Sequence, residues 1–121
     1  MAERPLLPLG EALYQQGVQR CIELALPNTP DLARTFALSR FASHVAGVDP
    51  DWVRQALAVF DKPVDVDGIR LSVTQTLVGT TDITAVKRVL RTARNRAQFH
   101  LVHRHITGAA DYAEVVASAS A

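Results

Sequence analysis

Thr80-Thr-Asp-Ile-Thr-Ala-Val-Lys-Arg-Val-Leu-Arg-Thr-Ala-Arg-Asn-Arg-Ala-Gln-Phe-His-Leu-Val-His-Arg-His-Ile-Thr-Gly108 is the longest patterned run in this 121-residue sequence. Thr80, Thr81 and Asp82 offer side-chain oxygens to the free N–H groups of a helix start, and Gly108 stands where a left-handed C-terminal stop belongs. Between them Ile83, Val86, Leu90, Ala93 and Ala97 recur at three- and four-residue steps, and Phe99, Val102 and Ile106 continue the stripe with a drift. That spacing predicts one helix from Ile83 to about Thr107, and a helix of that length sets the fold class.

Working back from it, the same start chemistry appears twice more. Asn28-Thr29-Pro30-Asp31 combines a cap, a first-turn proline and an early carboxylate facing the helix dipole. It predicts a helix carrying Leu32, Phe36 and Val45, stopped by Gly47. Asp49-Pro50-Asp51 opens another, with Trp52, Val53, Ala56, Leu57 and Phe60 as its buried stripe. A first helix spans Glu11 to about Leu26, with Leu13, Val18, Cys21, Ile22, Leu24 and Ala25 as its apolar surface and Pro27 as its end. Residues 1–9 form an irregular lead-in. Residues 61–69 read as a loop. Ile69, Leu71 and Val73 alternate as in a strand, but a strand without a partner is unstable, so a short helix over 69–78 is expected. A last helix, near Ala110-Asp111 and carrying Tyr112, Val115 and Val116, runs into Ala-Ser-Ala-Ser-Ala without a cap, as a helix cut through would. The expectation is a single all-α domain over 1–121, a small bundle of about five helices with one long basic helix.

Composition agrees. Hydrophobic residues make up 48% and aromatic residues only 6%, a mix that suits helices packed through small and branched side chains. No run is long and apolar enough for a membrane span, no signal peptide is evident, and the one cysteine, Cys21, cannot form an internal disulfide. The expected compartment is the cytoplasm. Net charge is +1, but residues 81–121 carry six Lys/Arg against three acids.

Three groups of residues bear chemistry. Lys87, Arg88, Arg91, Arg94, Arg96 and Arg104 lie on the long helix with no acid between Asp82 and Asp111. Guanidinium groups at helical spacing suit phosphates or carboxylates, so Arg91, Arg94, Arg96 and Arg104 are the candidate phosphate- or partner-binding residues. Set against this is the plainer possibility of a solvated helix face. His100, His103 and His105 include a pair on one face, but too few ligands surround them for zinc, and an ordinary surface or interface role is expected. Asp61, Asp65 and Asp67 before Gly68 have no carboxylate at the twelfth position of a calcium loop, so a turn is expected. Phosphate-binding glycine loops and a nucleophile elbow are missing, and nothing assembles a nucleophile, a base and an acid; no catalytic and no metal-binding residue is assigned.

The segment Leu90 to Val115 resembles a long helix of the bifunctional glutamine synthetase adenylyltransferase/adenylyl-removing enzymes, which reads roughly L-R-R-F-R-N-R-x-M-x-R-I-x-W-R-D-L-x-G-L-A-D-L-x-E-V. Leu90, Arg91, Arg94, Asn95, Arg96, Arg104, Gly108, Ala110, Asp111, Glu114 and Val115 match. Upstream, Phe36-Ala-Leu-Ser-Arg-Phe-Ala and Asp49-Pro-Asp-Trp-Val resemble that family's A-L-S-x-F-V-A and D-P-x-L-L segments, in the same order. Ala93, Gln98, His100, His103 and His105 depart from it. The resemblance covers about residues 33–121 and implies the N-terminal helical part of a longer nucleotidyltransferase, on the side of the adenylyl-removing activity. It implies magnesium and ATP for the parent enzyme, held by residues beyond this segment. Implied partners are the remaining nucleotidyltransferase domains, glutamine synthetase and a PII-type signalling protein. The alternative is a stand-alone module binding protein or nucleic acid through helix 83–107. Nucleic acid is disfavoured by the low net charge and the lack of an aromatic stacking platform.

Overall fold

The structure, a computed structural model, describes residues 10–108; the helix expected from Ala110 and the lead-in over 1–9 lie outside the described residues. Six α-helices follow one another: α1 (Glu11–Glu23), α2 (Pro30–Leu38), α3 (Arg40–Val48), α4 (Pro50–Ala56), α5 (Val66–Thr76) and α6 (Ile83–Ile106), with a 3-10 turn at Leu57–Val59. The described residues contain no strand, and the chain is all-α.

Local chemistry sets each start. Thr29 accepts a hydrogen bond from the Leu32 amide (3.3 Å), with Pro30 in the first turn of α2. Asp82 accepts from Thr84 N (2.9 Å) at the head of α6. Thr107 caps its end, followed by Gly108 at φ 79°.

Four expectations shift. The helix read through 30–46 is two helices, because Ser39 is extended and its hydroxyl caps α3 by accepting from Ala42 N (3.0 Å). Gly47 therefore lies inside α3, and its stop is Asp49. The first helix ends at Glu23, not Leu26. Ala25 N donates to Ile22 O (3.1 Å) and Leu26 N to Cys21 O (2.9 Å), the double bond of a Schellman ending, with Ala25 held left-handed at φ 54°. Leu26 is pulled inward and buried, whereas Leu13, Ile22 and Ala25 face solvent. The inward stripe of α1 is instead Tyr14, Gly17, Val18 and Cys21. Gly17 marks a close crossing, since a Cβ there would fall 1.8 Å from the Ala33 carbonyl oxygen of α2. Finally, the loop read over 61–69 ends at Asp65, whose carboxylate accepts from Gly68 N (3.0 Å) and starts α5 at Val66.

The core lies among α1–α4 and the C-terminal half of α6. Phe99 is its hub. Fully buried, it contacts Phe36, Trp52 and Phe60 at ring-centroid distances of 6.4, 5.7 and 5.5 Å. The stripe expected along all of α6 is buried only at its end, because α1–α4 reach no further: Phe99, His103, Arg104 and Ile106 are buried. Toward its start Ile83 is 69% exposed and Leu90 49%.

Candidate functional site

The four candidate arginines divide into two pairs. Arg96 grips Asp49 with both ends of its fork, Nε to one carboxylate oxygen (2.7 Å) and a terminal nitrogen to the other (3.2 Å). Its guanidinium carbon also lies 5.5 Å from the Trp52 ring centroid. Asp49 consequently makes no side-chain cap on α4; its carboxylate ties the α3–α4 corner to α6. Arg104 is buried and engaged within the fold. Arg96 is thus spent on holding α6 against the α3–α4 corner. Arg91 and Arg94 point into solvent with Lys87 and Arg88, and none of the four makes an ion pair with a described residue.

The histidines divide as well. His100 meets the Lys62 carbonyl through Nε2 (2.7 Å) and lies against Phe60, so it links α6 to the chain leading into α5. His103 is not a surface residue. It is buried, stacked on Phe99 at 6.3 Å and 8° between planes, with Nδ1 2.7 Å from the Thr35 hydroxyl. The same Thr35 hydroxyl also reaches the Asp31 carbonyl oxygen (2.9 Å), one turn earlier in α2. Burial lowers the His103 pKa from 6.5 to about 4; the charge of Asp31 opposes this and that of His100 adds to it. The ring is neutral at pH 7. Cys21 is buried and its thiol pKa is pushed up by burial, which keeps it in the inert thiol form.

What remains open to a partner is the arm made by α5 and the first part of α6. From residue 61 to 98 no described residue is buried. Leu71 and Val78 are 59% and 76% exposed, besides Ile83 and Leu90. Two clefts flank the contact between α5 and α6. One, of about 560 Å³, lies toward the bundle between Trp52, Phe60, Ile69 and Ala97, and its polar groups are Lys62, Asp65, Ser72, Arg96 and His100. Of these, Asp65 caps α5, Arg96 holds Asp49 and His100 holds Lys62 O. The other, of about 650 Å³, faces away and is lined by the outer stripes of both helices, with Arg70 and Arg94 as its charged groups.

Among the described residues no three His, Cys, Asp or Glu side chains converge as a metal site would require, and the acids of 61–67 cap or face solvent. No described helix is long and apolar enough to cross a membrane.

Comparison with protein-family models, with curated proteins and with solved structures gives no match for this chain.

Sequence reasoning singled out the right helix for exposed charge but missed Gly17 and the Asp49–Arg96 pair. Neither has a local signal: each depends on a partner far along the chain. The Asp65 cap did have one, an aspartate three residues before an amide at Gly68, which the clustered acids disguised as a turn.

Proposed function

We propose that this chain is the non-catalytic, N-terminal helical segment of an enzyme resembling the glutamine synthetase adenylyltransferase/adenylyl-removing family, and that it supports the removal of AMP from glutamine synthetase. The observation that carries the reading is the Asp49–Arg96 pair. The two stretches that resemble the family, Asp49-Pro-Asp-Trp-Val and Leu90 to Val115, lie far apart in sequence, yet Arg96 and Asp49 meet in a two-pronged ion pair. A shared family architecture gives those two matched positions a common purpose, fixing the long helix on the α3–α4 corner. Magnesium and ATP then belong to the nucleotidyltransferase domains of the parent enzyme, and no chemical step runs through the residues described here.

The test is genetic and biochemical. In-frame deletion of the codons for residues 10–108 should leave glutamine synthetase adenylylated after cells return to nitrogen-poor medium, read as activity restored by phosphodiesterase treatment. The purified chain, mixed with adenylylated synthetase, phosphate and magnesium, should release no ADP. A deletion strain with an unchanged adenylylation response overturns the reading.

One observation favours the second reading, a stand-alone binding module. Lys87, Arg88, Arg91 and Arg94 are exposed on a helix without a local acid, an arrangement suited to meeting negative charge on another molecule. A stop codon after Ala121, with normal synthetase regulation in a strain lacking the gene, would select it.

A further inference from the structure

The outer cleft of the arm stands independently of that reading. Along α6, Leu90, Ala97 and Leu101 face it, with Arg94 between them; along α5, Val66, Ile69 and Val73 face it, with Arg70 between them. Each set follows helical steps, so two helices present parallel apolar rows with a furrow of about 650 Å³ between. Apolar residues at helical steps on two neighbouring helices are what a third helix needs to lie along the furrow and insert its own apolar stripe.

Charge names the kind of helix. Among the described residues, the two charged side chains lining the furrow are both arginines, and no carboxylate lines it. Exposed Lys87, Arg88 and Arg91 extend the positive field along α6. Like charges at three- and four-residue steps, such as Lys87–Arg91 and Arg91–Arg94, destabilise an isolated helix, an effect that a negatively charged partner reverses. No phenylalanine, tyrosine or tryptophan occurs from 61 to 98, so the surface has no platform on which bases could stack. The inner cleft differs: its charges have mixed signs, and Asp65 and Arg96 are already engaged.

We propose that the furrow between α5 and α6 docks an acidic amphipathic helix of a partner protein, with Leu90, Ile69 and Val73 receiving its apolar stripe and Arg70 and Arg94 pairing with its flanking carboxylates. Ordering α5 against this third helix would supply the burial that α5 lacks in the free chain.

The probe is a fluorescein-labelled peptide of about fifteen residues, Leu at three- and four-residue steps and Glu elsewhere, long enough to form a helix on a surface that stabilises it. A second peptide keeps the Leu positions and replaces every Glu by Lys. Fluorescence anisotropy with the full 121-residue chain should show binding of the Glu peptide only, weakening as salt rises. The variant Arg70→Glu/Arg94→Glu should lose about ten-fold or more in affinity for it and gain affinity for the Lys peptide. Leu90→Gln, an exposed position whose change leaves the helical circular dichroism intact, should weaken the Glu peptide as well. Several outcomes overturn the proposal: no binding of the Glu peptide at about millimolar concentration, equal binding of both peptides, or variants that stay folded and bind as before. It is likewise overturned if a DNA or RNA oligonucleotide binds in preference through the same arginines, if the chain self-associates through this face in sedimentation, or if NMR contacts place its own residues 109–121 in the furrow.

Discussion

Phe99 and Leu90 sit on the same helix and meet different surroundings. Phe99 is enclosed by Phe36, Trp52, Phe60 and His103, while Leu90 stands half in water on the rim of a furrow. The bundle around Phe99 is knit by rings, by Gly17 against Ala33, by Arg20 donating from α1 to the Ser43 hydroxyl (2.9 Å) and carbonyl (3.0 Å) of α3, and by Arg96 on Asp49. The arm of α5 and early α6 has caps at its helix starts but no buried side chain. The same α-helical backbone therefore serves two purposes: at one end it is a wall of the core, and at the other it displays charge and apolar surface. Propensity and capping suffice to start a helix, but most of a helix's stability in a protein comes from the face it buries. The arm has little of that, so it is the part of the molecule with most to gain from a partner.

The comparison can be broken most forcefully at the hub. Phe99→Ala should cost about 3–5 kcal/mol, whereas Leu90→Ala or Arg91→Gln should each change stability by about 0.5 kcal/mol or less. Urea denaturation measures all three. A large loss from Leu90→Ala would mean that the arm is part of the core after all.

The next effect is a dependence on pH that belongs to the bundle alone. His103 titrates near 4 when folded and near 6.5 when unfolded, so between those values the unfolded chain holds more protons. Its contribution to stability is complete above about 6.5, falls as pH drops, and is gone below about 4, amounting to roughly 3 kcal/mol at most. Urea midpoints measured from pH 7 to pH 4 should fall accordingly. The slope should flatten in His103→Gln, which keeps a polar group but cannot titrate. An unchanged slope in that variant would assign the effect to other groups.

The smallest effect sharpens the picture of α1. Ala25 occupies the left-handed position of the Schellman ending, at φ 54°, where glycine meets no steric penalty. Ala25→Gly should therefore raise stability by about 0.5–1 kcal/mol, the strain removed outweighing the freedom gained by the unfolded chain. Thermal unfolding that shows a loss instead would mean that Ala25 carries no strain.

Much of the helix layout was legible because its signals are local. Thr29-Pro30 and Thr81-Asp82 satisfy amides within a turn, and Gly108 ends α6 as its position suggested. The break at Ser39 was harder to read, because a serine serves an unbroken helix tolerably and a capped junction well, and only packing decides. Of the candidate arginines, the charge run identified all four, but not that Arg96 and Arg104 turn inward while Arg91 and Arg94 stay outside. Hydrophobic spacing likewise marked one stripe along α6 without saying where the bundle would stop covering it.

By itself, then, the sequence determined that the chain is all-α, where most helices begin and that the long helix is basic, because capping, periodicity and charge act over a few residues. Only the tertiary structure decided that Gly17 crosses Ala33, that Asp49 leaves its helix cap for Arg96, that His103 enters the core as a neutral ring and that α5 is left uncovered. Each of these depends on which surfaces meet across long stretches of chain, and the free energy of such meetings lies in burial and desolvation that no short window of residues contains.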